Sequence, residues 1–151
     1  MDIDRTFDKI INGTFVISAN DGNTSNAMTA AWVMRVSHDP PLVAISVGKR
    51  RFTHDIIKRG GCFCINILSD SQVNIAKKFG FSSGRKQDKL SDIAFDESNT
   101  GCAILPGICG YLDCELASMT DAGDHTLFIG KVIDYSHSEN KPLLADMSDY
   151  M

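Results

Sequence analysis

No run of the sequence approaches the roughly 20 apolar residues that cross a bilayer as a helix. The opening Met1-Asp2-Ile3-Asp4-Arg5 lacks the apolar core of a signal peptide. Positive charge is in the minority: 15 Lys and Arg against 19 Asp and Glu leave a formal charge of −4 and a pI near 5.4. That balance excludes a chain-wide nucleic-acid surface, and any anion must be held by a local group of cations. The five cysteines, at 62, 64, 102, 109 and 114, are an odd and scattered set. A secreted disulfide framework uses an even set in a shorter chain, so reduced thiols in a cytoplasm are expected. The patterns G-x-x-x-x-G-K-[ST] and G-x-G-x-x-G do not occur. Their absence sets aside the Walker phosphate loop and the dinucleotide fingerprint.

What remains is ordinary globular material: 151 residues, 43% hydrophobic and 23% charged, enough for one domain with a sizeable core. Residues 2–11 form a lead of one or two helical turns, ended by Asn12-Gly13. Residues 14–19 are β-branched and aromatic and predict a strand, and Asn20-Asp21-Gly22-Asn23 is a hairpin turn. A second strand is expected over 27–36, broken by Asp39-Pro40-Pro41, and a buried one over 42–47. Thr53 reads as the N-cap of a short helix ended by Gly60-Gly61, with Ile56 and Ile57 inward. A strand over 62–68 follows, then Ser69-Asp70-Ser71-Gln72 as a capping box for a helix to about Phe79. The pattern fades over 80–99, which predicts a long surface loop. The last strands are expected over 111–119 and 126–135, around the turn Asp121-Ala122-Gly123. Many short strands with few helices predict a mainly β fold, a barrel or sandwich plugged at its ends.

Three stretches carry chemistry. Lys49-Arg50-Arg51 precedes Thr53-His54, and cations beside a helix N-terminus suit a phosphate dianion, with Gly48 letting the backbone come close. A solvated basic loop with an ordinary threonine cap fits the same residues. In Ser25-Asn26-Ala27-Met28-Thr29-Ala30-Ala31-Trp32 small residues alternate with polar ones. A flat heteroaromatic ring could lie on such a strand, or a helix could pack over it. In Ala122-Gly123-Asp124-His125-Thr126 the imidazole of His125 could donate a proton near neutral pH, or the Asp-His pair could staple the turn. Cys62 and Cys64 share one strand face. With no second pair or nearby histidine, buried thiols and no metal site are expected.

Taken in this order the stretches resemble the flavin reductase-like family, proteins with an FMN-binding split β-barrel that include the flavoredoxins. The first matching elements are Ser25-Asn26-Ala27-Met28-Thr29, Asp39-Pro40-Pro41-Leu42-Val43, and Ser46-Val47-Gly48 through Thr53-His54. They continue with Phe63-Cys64-Ile65-Asn66 and Ser83-Gly84 near Asp88-Lys89. Gly123-Asp124-His125-Thr126 with Phe128-Ile129-Gly130, and Lys141-Pro142-Leu143-Leu144, extend the match over nearly the whole chain. The resemblance implies that Asn26, Ala27, Met28 and Thr29 line an isoalloxazine ring and that Ser46 belongs to the cofactor-binding stretch. It implies Lys49, Arg51, Thr53 and His54 at the FMN phosphate, with Arg50 beside them, and Asn66 near the flavin edge. Lys89 would reach a phosphate or a partner subunit, and His125 the reactive face where some relatives place nicotinamide. A homodimer with flavin sites near its interface is implied, acting as an NAD(P)H-dependent flavin oxidoreductase. The alternative is a flavoredoxin-like electron carrier between protein partners; a split-barrel module without flavin is a more distant third. The basic stretch leans toward the flavoredoxin side, and the short tail ending Asp149-Tyr150-Met151 implies no attached module such as a rubredoxin.

Overall fold

Residues 2–81 and 88–145 are described by the computed structural model of the chain. After a short helix, α1 (Asp2–Phe7), strands β1 (Phe15–Asn20) and β2 (Ser25–Ala30) form the expected antiparallel hairpin. Its turn is closed by Asp21, whose carboxylate accepts from the backbone N–H of Asn23 at 2.9 Å and of Thr24 at 2.7 Å. Arg59 Nε donates to the same group at 2.9 Å. These donors hold the Asp21 carboxyl down at about 2.

The stretch expected as one strand over 27–36 is two. β2 ends at Ala30, and β3 (Val33–Ser37) begins after Ala31-Trp32. The switch is made by the backbone: Ser46 N–H donates to Trp32 O at 3.0 Å and Val33 N–H to Ala31 O at 3.2 Å. Side-chain pattern alone does not register such a change of partner. The remaining long strands are β4 (Leu42–Gly48), β5 (Cys62–Ile67), β8 (Gly110–Ala122) and β9 (His125–His137). They make one seven-stranded antiparallel sheet in the order β2-β1-β5-β8-β9-β4-β3. Sequence neighbours β2 and β3 therefore lie at opposite edges, and a two-residue link makes the sheet curl until the edges meet. No ladder joins them, so the mainly β barrel is split along that line.

The barrel is filled from one end by helix α2 (Phe52–Gly60), which buries Ile56 and Ile57 against Ile17, Ile45, Phe63 and Phe128. Helix α3 (Val73–Phe81) covers the outside of β2 with Ala76 and Phe79, packed with Val16, Ala27 and Leu105. Thr53 is not the cap of α2. The helix starts two residues earlier than that cap implies, with Arg51 at the cap position and no side-chain capping bond. Thr53 is instead fully buried, and its Oγ1 accepts from Asn26 Nδ2 at 3.0 Å. The capping box of α3 is half formed: Gln72 Oε1 accepts the Ser69 N–H at 3.0 Å, while Ser69 Oγ pairs with Ser71 Oγ.

The stretch over 80–99 is less of a surface loop than expected. α3 runs on to Phe81, Lys89 and Leu90 are buried, and β6 (Asp96–Glu97) pairs with β7 (Ala103–Ile104). Ser83-Gly84 and Arg85-Lys86 lie outside the described residues, as does the tail at 149–151. The last hairpin is longer than its hydrophobic pattern. Thr120, Asp121 and Ala122 pair with Leu127, Thr126 and His125, leaving only Gly123-Asp124 as the turn. Gly123 takes φ +64° there, which a glycine at the first turn position permits. No helix among the described residues is long and apolar enough to cross a membrane.

Candidate functional site

The basic stretch sits in a tight turn between β4 and α2, closed by the Arg51 N–H donating to Gly48 O at 3.0 Å. The Lys49 N–H donates to Asp124 O at 3.0 Å and Lys49 Nζ meets Asp121 Oδ1 at 3.2 Å, so the turn is fastened to the tip of the β8–β9 hairpin. Arg50 is exposed. Arg51 points the other way, with Nη2 3.5 Å from the carbonyl oxygen of Phe79. Lys89 Nζ donates to that same oxygen at 3.2 Å, although Lys89 is far away in the sequence and only 2% exposed. Two cations thus gather near the C-terminal, negative end of α3. Burial, and then the charge of Arg51, bring the Lys89 ammonium down to about 8. Burial lowers the Arg51 guanidinium from its usual range as well.

A second grouping flanks the same turn on the outer face of β4. Gly48 pairs across to His125, and Ser46, one pleat away, is half-buried on the same face. A Cβ at Gly48 would stand 3.4 Å from Arg51 Cγ and 3.9 Å from His125 Nε2, which is ordinary contact. Asp124 Oδ1 lies 2.7 Å from His125 Nδ1 and is thereby held below the usual carboxylate range. With Nδ1 so engaged, Nε2 is the nitrogen turned toward Gly48. The His125 ring lies against the indole of Trp32, centroids 4.8 Å apart and tilted by 40°. Trp32 is 42% exposed and lines, with Phe7, Ile10 and Asn12 among others, a cleft of about 510 Å³ beneath α1. Sequence reasoning passed over Trp32; the signal was a lone tryptophan directly after a strand of small residues.

The other expected site residues are buried or bonded within the chain. Asn26, Ala27, Met28 and Thr29 are buried, Thr29 Oγ1 donating to Ala76 O at 2.6 Å. What β2 offers a ligand is its unladdered backbone edge, since it pairs with β1 alone. His54 has both nitrogens engaged, Nε2 with Thr126 Oγ1 at 2.7 Å and Nδ1 with Asp55 Oδ1 at 3.1 Å. Asn66 ties β1, β5 and β7 together: its Nδ2 donates to Val16 O and Ala103 O, and its Oδ1 accepts from Leu105 N–H at 2.8 Å. The structure therefore brings together Ser46, Lys49, Arg51, Lys89 and His125, with Thr53 and His54 beneath them on α2. Among the described residues no group of three or more His, Cys, Asp or Glu side chains could hold a metal ion.

A sequence profile described as the flavin reductase like domain matches residues 7–151. The chain belongs to the flavin reductase-like family. It is 36% identical over 124 residues to a high molecular weight rubredoxin of Moorella thermoacetica, covering 81% of this chain and 54% of that one. It is 35% identical over 125 residues to a flavin reductase of Pseudomonas putida, covering 82% and 71% respectively. In fold it is similar to the NADH:FAD oxidoreductase of Streptomyces globisporus, with TM-score 0.88, 26% identity, and 94% and 86% of the two chains covered. The chain thus spans about half the length of the Moorella relative. A flavin of this oxidoreductase family fits the residues present. The Arg51–Lys89 pair suits a phosphate, and the open β2 edge and the Trp32–His125 face suit a flat ring.

Proposed function

We propose that the chain binds FMN and acts as an NAD(P)H-dependent flavin oxidoreductase. The observation that carries the reading is the convergence of half-buried Arg51 and buried Lys89 on one carbonyl oxygen, two cations from distant parts of the sequence. A phosphate monoester there would take charge-assisted bonds from both, each worth about 1.5–3 kcal/mol. When bound, the flavin ring supplies the redox chemistry, accepting and passing on reducing equivalents. The chain's part is to anchor the phosphate through Arg51 and Lys89, and to orient the ring against the β2 edge. Asp124 keeps the proton of His125 on Nδ1, so that Nε2 can accept a hydrogen bond, or donate one when the ring is charged. Asn26 and Thr53 brace β2 against α2 from behind. The Streptomyces relative's use of NADH supports a nicotinamide donor here.

Titration of flavin fluorescence tests the anchor. FMN is expected to bind at least tenfold tighter than riboflavin, and equal affinities would remove the phosphate role. FAD in the same series decides the nucleotide. Anaerobic mixing of the flavin-loaded protein with NADH or NADPH separates a reductase from a flavoredoxin-like carrier, because only the first has its flavin bleached by the nicotinamide alone. The Moorella relative is a high molecular weight rubredoxin, which supports keeping the carrier reading with a redox protein as partner.

A homodimer accompanies this function. It is supported by an open groove of about 490 Å³ lined by Val33, Met34, Leu42, Val132, Ile133 and Tyr135, with Met34 and Tyr135 more than 60% exposed. Five free thiols support a reducing, cytoplasmic setting.

A further inference from the structure

At the far end of α2 lies a group that the flavin reading does not use. Gly61, at φ +68°, ends the helix and delivers Cys62 to the start of β5. The turn over 98–102 brings Cys102 beside it, and the two free sulfurs lie 3.8 Å apart. The pair is held in place. Cys62 Sγ donates toward Asn20 O at 3.4 Å, and Thr100 Oγ1 lies 3.3 Å from Cys102 Sγ. The buried Asp113 carboxylate fastens the turn, accepting from the Thr100 N–H at 3.0 Å, Thr100 Oγ1 at 2.6 Å and Ser98 Oγ at 2.9 Å.

We propose that Cys62 and Cys102 form a dithiol centre that hydrogen peroxide oxidises reversibly to an intramolecular disulfide. The two sulfurs are not equivalent. Cys62 retains 7% exposure and Cys102 none. A hydrogen bond from Cys102 holds the Cys62 thiol below the ordinary range, and the same bond with burial pushes Cys102 up. Cys62 is therefore the attacking sulfur. Its thiolate attacks one peroxide oxygen; an S–O bond forms, the O–O bond breaks, and the departing hydroxide takes a proton to become water. The Cys102 sulfur then attacks Cys62 sulfur, the S–S bond forms and the S–O bond breaks. The Cys102 proton leaves with the second hydroxide as water. Two thiols give up two electrons and one peroxide becomes two waters; an added dithiol reverses the change. Closing from 3.8 Å to a bond of about 2.05 Å takes side-chain rotation with a small shift of the turn. Cys64, third in the cluster, is buried, and its thiol is driven up by that burial.

The centre is separate from the anion site. The nine residues of α2 put roughly 13 Å of helix between Arg51 and Cys62. The test treats the purified chain with a few equivalents of hydrogen peroxide, blocks remaining thiols with N-ethylmaleimide, and maps peptides by mass. Two of the five thiols should be lost, joined as one Cys62–Cys102 cross-link that dithiothreitol reopens, with three thiols still alkylated. Cys102→Ser should stop at a sulfenic acid on Cys62, trapped by dimedone, and Cys62→Ser should leave Cys102 unoxidised. Five alkylated thiols after peroxide, or a cross-link through another cysteine or between chains, overturns the proposal on the unaltered protein.

Discussion

Lys89 is an ammonium placed where water is scarce, and its charge is held at a cost that a bound anion would offset. Its folded value of about 8 lies below the 10.5 of an exposed lysine, so between those values the unfolded chain binds more protons than the folded one. The ligand-free fold is therefore expected to gain stability from this group as pH rises through 8 to 10.5. FMN binding has the opposite sign. The anion needs Lys89 charged, so affinity should be full at pH 7 and fall through pH 8 by up to tenfold per unit, measured by fluorescence titration. Lys89→Met should remove that pH dependence and weaken FMN by about 10- to 100-fold, the equivalent of one charge-assisted bond. His125 belongs to the other half of the site. His125→Asn should slow anaerobic flavin reduction by about 10²–10⁴-fold. It should weaken FMN binding by no more than one neutral hydrogen bond, about 0.5–1.5 kcal/mol. Loss of FMN, or an unchanged rate, would make His125 a staple for the Gly123-Asp124 turn.

At the scale of elements, α2 and β2 are joined by one buried hydrogen bond, from Asn26 Nδ2 to Thr53 Oγ1. Thr53→Val keeps the shape and deletes the acceptor, leaving a buried amide short of a partner at a cost of about 1–3 kcal/mol. A lowered melting temperature checks it, and Thr53→Ser should restore most of the loss. The same residue shows what the sequence could and could not convey. A threonine ahead of an apolar run has the same appearance whether it caps a helix or lies one position inside it. Only the partner, 27 residues away, decides. Strand positions were legible because β-branched residues alternate with polar ones. The division of the 27–36 stretch was not, because the change from β1 to β4 as partner happens in the backbone of Ala31 and Trp32. Arg51 was readable as part of a basic run. The burial of Lys89 depends on where α3 ends, and composition carries no mark of that.

At the scale of the whole molecule, the sheet has two edges and an outer groove of exposed apolar side chains. Sedimentation equilibrium should return twice the chain mass of 16.5 kDa at micromolar concentration. Met34→Glu with Tyr135→Glu should shift it toward the single mass, since a charge buried unpaired in an interface costs several kcal/mol. A single mass for the unaltered protein would leave that groove without its proposed partner.

The seam of the barrel also has an optical consequence. The chain has one tryptophan, and it stands on that seam with its indole against His125. Every photon of indole emission therefore originates from one place. A flavin seated nearby absorbs where tryptophan emits and would drain the same excited state. Without any added label, Trp32 reports the arrival of the ligand.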